Sequence, residues 1–110
     1  MNGLMSNDDK QIYSLLGICK KAGCIKAGEF MTEKTVKGGS AYLVIVASDS
    51  SDNTKKKFRN MTDFYNVPYR EFGNKDGLGN CIGCEFRASL AVTNKGLADK
   101  LIEKISNFVK

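Results

Sequence analysis

Five stretches of the chain place apolar residues at helical spacing, and four short apolar runs separate them. Ser6 or Asn7 can cap a first helix whose inward face is Ile12, Leu15, Leu16 and Cys19. Lys20 and Lys21 sit near its end, where positive charge is favourable, and Gly23 closes it. Cys24 to Ala27 reads as a first strand. A second helix opens after Gly28 and stops at Gly38–Gly39. Ala41 to Ala47, AYLVIVA, is apolar without alternation and rich in branched residues, as in a strand covered on both faces of a parallel sheet. After the polar loop Ser48–Asp52, Thr54, Phe58, Met61 and Tyr65 mark one face of a third helix, and Lys55, Lys56, Lys57 and Arg59 its opposite face. Val67 to Phe72 is a third strand, with Pro68, the only proline, at its start or on an edge. Asn74 begins a short fourth helix with Leu78, Cys81 and Ile82 facing inward, ended by Gly83. Cys84–Arg87 is a loop, Ala88–Val92 a fourth strand. Thr93 or Asn94 caps a last helix with Leu97, Leu101, Ile105 and Phe108 inward.

Helices and strands alternate from end to end. That order predicts an α/β protein: a three-layer α/β/α sandwich around a four-stranded sheet. At 110 residues the chain is expected to be one domain, 1–110, with residues 1–5 disordered. No apolar run approaches the ~20 residues needed to span a bilayer. The opening MNGLMSNDDK lacks a secretory layout, so the expected location is the cytoplasm, with no membrane partner.

Charge narrows the partner class. Seventeen Lys and Arg against 12 Asp and Glu leave a net charge of +5, an excess that attracts polyanions, RNA foremost in a cytoplasm. Histidine is absent, which removes the usual general base and the commonest metal ligand. No nucleophile–base pair or phosphate loop of the G-x-x-x-x-G-K-[ST] form is present, so a non-enzymatic protein without cofactor or metal is expected. Gly77 and Gly79 read as turn-making. The thiols are the alternative: Cys81-Ile-Gly-Cys84 with Cys19 and Cys24 could form a zinc or redox site. Against it, Cys19 and Cys81 fall on apolar helix faces, where cysteine acts as a small hydrophobe.

Two stretches offer a binding surface. Gly28 at a helix start allows close approach of another backbone, and the following N–H groups carry partial positive charge, which suits phosphate; the same glycine also suits a plain strand-to-helix turn. Cys84-Glu85-Phe86-Arg87 sets an aromatic ring beside a guanidinium, a pair that can stack on an extruded base and hold its phosphate, unless Phe86 packs under the loop. The run Lys55–Arg59 can contact phosphates or simply be a solvated face.

From about Gln11 to Ile105 the chain resembles the kink-turn-binding ribosomal protein family, the L-seven-Ae type and its small bacterial YlxQ-like relatives. The segments that carry the likeness are LLGICKKAG (Leu15–Gly23), KAGE (Lys26–Glu29), AYLVIVASDSSDNTKKK (Ala41–Lys57), VPY (Val67–Tyr69), LGNCIG (Leu78–Gly83) and ASLAVTNKGLADKL (Ala88–Leu101). The resemblance implies a mixed sheet, and it implies that the second helix start and the loop before the fourth strand share one edge that grips a bent RNA with tandem G·A pairs. It implies that Gly28 approaches RNA, that Lys34 is the basic residue of the first helical turns, and that Cys84, Glu85, Phe86 and Arg87 hold an extruded nucleotide. Lys26 and Lys37 would flank the grip and meet phosphates. The family's Asn-Glu pair, which reads guanine edges, falls on Phe30 and Met31, whose side chains offer no such hydrogen bonds. Glu29 precedes them, turned about 100° around the helix. The implied function is RNA binding within the ribosome or another ribonucleoprotein, on a kink-turn or ribosomal RNA. The same fold also serves as a protein-interaction module, for which Phe30 and Met31 would start an apolar patch.

Overall fold

The computed structural model describes residues 7–108; the expected disorder of 1–5, the cap at Ser6 and the side chain of Phe108 lie outside what is described. Helix α1 (Asn7–Lys21) leads to strand β1 (Ile25–Ala27), followed by α2 (Glu29–Lys37), β2 (Leu43–Val46), α3 (Asp52–Tyr65), β3 (Tyr69–Glu71), α4 (Lys75–Cys81), β4 (Ser89–Val92) and α5 (Lys95–Phe108). Each expected element is present, and the strands are shorter than their apolar runs. Ala41, Tyr42 and Ala47 belong to no strand although Ala47 is fully buried.

The sheet order is β1-β4-β2-β3. β4 is antiparallel to both β1 and β2, and β3 is parallel to β2. Strands β1, β2 and β3 therefore point one way and β4 the other. The sheet is mixed, so the buried central run of β2 does not mean an all-parallel sheet; helices on both faces cover it all the same.

Alternation along β2 sends its side chains to two cores. Leu43 and Ile45 join Ile12, Leu16, Leu90 and Leu101 beneath α1, α4 and α5. Val44 and Val46 join Val36, Phe58 and Ala91 beneath α2 and α3. This is the three-layer sandwich. On α3 the fully buried face is Phe58 and Thr62, the Thr62 hydroxyl donating to the Phe58 carbonyl at 2.7 Å; Tyr65, expected inward, is exposed. On α5 Ala98, Leu101 and Ile105 are buried and Leu97 is only partly so. Among the described residues no helix is long and apolar enough to cross a membrane.

Candidate nucleic-acid interface

Strand directions decide where the loops gather. The C-terminal ends of β1, β2 and β3 and the N-terminal end of β4 share one rim of the sheet, so α2, α3 and α4 all begin there. Backbone hydrogen bonds stitch this rim. The Gly28 N–H donates to the Ser89 carbonyl at 2.9 Å, and the Ala47 N–H to that of Ala88 at 2.8 Å. The Lys75 N–H donates to Asp49 Oδ1 at 2.9 Å, and the Arg87 N–H to the Lys75 carbonyl at 3.0 Å. Residue 28 and the segment 84–88, far apart in sequence, thus belong to one edge.

Gly28 holds φ 96°, ψ 159°, a region essentially reserved for glycine. No side chain caps α2, whereas Ser51 caps α3 and Asn74 caps α4. Among the described residues, no N-cap side chain meets the first N–H groups of α2, which the helix itself leaves unpaired. Lys26 is exposed on edge strand β1, and Lys34 is exposed on α2 one turn beyond Phe30. Phe30 itself is 74% exposed, while Met31 is half-buried. Lys37 is the last residue of this nine-residue helix, about 12 Å along the axis from its start. It does not flank the Gly28 junction.

The acidic residues of α2 have a separate task. Lys57 Nζ of α3 lies 2.8 Å from Glu29 Oε2 and 2.9 Å from Glu33 Oε1, and Lys37 Nζ lies 2.7 Å from Glu33 Oε2. Lys55 likewise reaches Glu71 of β3 at 3.7 Å. Two of the four basic residues in the run 55–59 therefore tie α3 to its neighbours, neither idle in solvent nor free for phosphate. The hydrogen bond from Lys37, then that from Lys57, lowers the Glu33 carboxyl from 4.5 to about 2. A carboxylate whose folded value is depressed contributes stability above its unfolded value and loses it as pH falls through the folded one. The urea midpoint of the wild type is thus expected to fall from pH 4.5 to about 2 more steeply than that of Glu33→Gln. Parallel pH profiles would show that the network contributes nothing. Since these groups are exposed, added salt should flatten the difference.

The second segment is shaped by α4. A Schellman turn ends the helix: the Cys84 N–H donates to the Gly79 carbonyl at 2.9 Å and the Gly83 N–H to that of Asn80 at 3.1 Å. The loop then folds back on the helix so closely that a methyl group at Gly79 would collide with the Glu85 carbonyl and reach Phe86 Cα at 2.8 Å. Gly77 lies against the Tyr13 ring in the same way. These glycines, expected to make turns, are helical residues that permit close approach. A glycine inside a short helix was the signal available, since its cost calls for a packing reason. Glu85 is exposed, and Phe86, not tucked under the loop, is 60% exposed. Arg87 is half-buried and its guanidinium donates to the Phe86 carbonyl at 2.9 Å. Lys75 Nζ lies 5.8 Å from the Phe86 ring centroid. No motif in the sequence pointed to Lys75.

The four cysteines are free. Burial raises the Cys19 thiol and pushes Cys81 up to about 11, so both stay protonated; Cys81 Sγ donates to the Leu78 carbonyl at 3.1 Å and Cys84 Sγ to that of Ile82 at 3.8 Å. Among the described residues no group of three or more His, Cys, Asp or Glu is placed to hold a metal ion.

The family model "Ribosomal protein L7Ae/L30e/S12e/Gadd45 family" matches residues 10–102 of the chain. The chain belongs to this family. Within it, the L7Ae-type chain is 38% identical over 90 residues to the RNA-binding protein YlxQ of Bacillus subtilis (strain 168), covering 82% of this chain and 90% of the relative. The RNA-binding protein YlxQ of Enterococcus faecium is 33% identical over 96 residues, 87% of this chain and 92% of the relative. Among solved structures, a protein of unknown function from Bacillus halodurans C superposes with a TM-score of 0.85 at 34% identity, over 87% of this chain and 97% of that one. The Giardia lamblia 15.5kD RNA binding protein superposes with a TM-score of 0.77 at 21% identity, over 94% and 92%; at that identity the likeness establishes the L7Ae-type fold.

Proposed function

We propose that this chain is a non-enzymatic RNA-binding protein and that the rim around Gly28 and Phe86 is its RNA-binding face. The observation that carries the reading is the Gly28 N–H to Ser89 carbonyl hydrogen bond, which joins the uncapped start of α2 to the strand fed by the loop 84–87. The two YlxQ relatives, named RNA-binding proteins, support it over most of their length. In this reading the first N–H groups of α2 meet a phosphate, Lys26, Lys34 and Arg87 neutralise others, and the exposed Phe86 ring stacks on an extruded base. Glu29 and Lys37 serve instead to fasten α2 to α3 and within itself. The target is a kink-turn or similarly bent RNA, held within the ribosome or another ribonucleoprotein.

A gel shift tests this with the full chain and a kink-turn RNA. Affinity is expected to fall from about 50 to 200 mM salt, log K losing about 0.7–0.9 per neutralised phosphate for each tenfold of salt. Lys34→Ala and Arg87→Ala should each weaken binding by up to about tenfold and lower the salt slope by about one, with unchanged far-UV circular dichroism. Unchanged affinity in both variants would remove this face from the reading. No binding by the wild type at low salt would remove RNA altogether, and would favour a protein partner on the exposed Phe30.

A further inference from the structure

Phe30 is the largest apolar side chain on the rim of α2, and 74% of it is exposed. It lies in the first turn, two residues past the Gly28 junction, with Lys34 one turn behind it. The neighbouring Glu29 and Glu33 point to α3, as their bonds to Lys57 require, and Thr32 and Val36 pack inward. Phe30 therefore projects away from the core and from the ion-pair network. On the other segment of the same edge Phe86 is 60% exposed and carries Lys75 over its ring. One rim thus presents two exposed rings, Phe86 with Lys75 over it and Phe30 one helical turn from Lys34.

We infer that this edge selects RNA by stacking unpaired nucleotides on Phe30 as well as on Phe86, so that the ligand class is RNA with a bulge or looped-out segment and the paired bases beside it go unread. The inference rests on the RNA-binding reading above. Two features favour RNA over a protein partner. The rings are set apart on two segments among Lys34, Lys75 and Arg87, the arrangement that holds bases and phosphates alternately. A ring has a face but no donor or acceptor, so it takes any base and cannot read the edge of a paired one. Purine bulges, with the larger stacking area, should bind more tightly than pyrimidine bulges.

The test uses the full chain and three labelled RNA hairpins: one with a short adenine bulge beside tandem G·A pairs, one with the bulge kept and the G·A pairs made Watson–Crick, one with the bulge removed and the G·A pairs kept. Phe30→Ala is expected to lose the about 5- to 150-fold of one stacked base on the bulged RNAs only, and removing the bulge to cost the wild type more than that, since both rings then lose a base. Replacing the G·A pairs should cost less than about fivefold, below a single bidentate base contact. The chain has no tryptophan, so Phe30→Trp supplies a lone indole; its emission should be quenched by the bulged hairpins and not by the unbulged one. Phe30→Ala binding like the wild type while Arg87→Ala binds poorly would overturn stacking at Phe30 and leave RNA binding at the rim intact. A larger loss from the G·A replacement than from bulge removal would also overturn it. If the wild type binds none of the three, both readings fall together.

Discussion

Gly79→Ala is expected to destabilise the domain by about 3 kcal/mol and to abolish RNA binding, the upper end of what overpacking costs. The added methyl has nowhere to go. It meets the Glu85 carbonyl and Phe86 Cα, which are backbone and cannot rotate aside as a side chain would. Either α4 moves off the loop, losing the Cys84 N–H bond to the Gly79 carbonyl, or the loop lifts and carries Phe86 and Arg87 from their places. Both routes separate the two segments of the rim. Gly96→Ala is the control: it is also helical but, unlike the buried Gly79, exposed, and its new methyl would come no closer than 3.5 Å to Asn94 Oδ1. That change should stabilise by about 0.5–1 kcal/mol through helix propensity. Urea midpoints of the two variants decide the matter. A Gly79→Ala midpoint equal to the wild type's would show that the loop yields at no cost.

Phe58→Ala should cost about 3–5 kcal/mol, a large share of the roughly 5–15 kcal/mol that holds a domain of this kind together. Phe58 is fully buried and, among the described residues, is the one aromatic in the buried part of the smaller core, which it shares with Val44 and Val46 of β2 and Val36 of α2. Its buried companions there are four aliphatic residues, with Ala41, Met61, Val67 and Tyr69 packed partly buried around them. A fall of about 15 °C in the thermal midpoint is the expected reading. Phe64→Ala, on the same helix but 77% exposed, should leave the midpoint nearly where it is. Equal shifts for the two would contradict the assignment of the α2–α3 core.

Much of this architecture is legible in the sequence because its causes are local. Helix starts follow cap chemistry: Ser51 and Asn74 each accept from the N–H three residues on, at 3.1 and 2.6 Å. An apolar run records burial and not pairing, so the strands are shorter than their runs: Ala47 is buried yet lies beyond the last β2 rung. The spacing of Phe58 and Met61 predicts Tyr65 inward, but the helix ends there and the ring is left exposed with Phe64 against it at 4.9 Å. Lys55 and Lys57 could not be assigned from the run 55–59, since their carboxylate partners lie on β3 and α2.

The order of nine elements, the covered central strand, the helix caps and the basic excess were written in residue spacing and composition, because each depends on neighbours within a few positions. The direction of β4 was not. Its reversal against β1 and β2 brings the loop 84–88 to the end of the sheet where α2 begins, and a strand's direction is set by which strands it pairs with across the whole fold. The exposure of Phe30 and Phe86, the partners of Glu29 and Lys57, and the close seat of the loop on Gly79 follow from that packing alone.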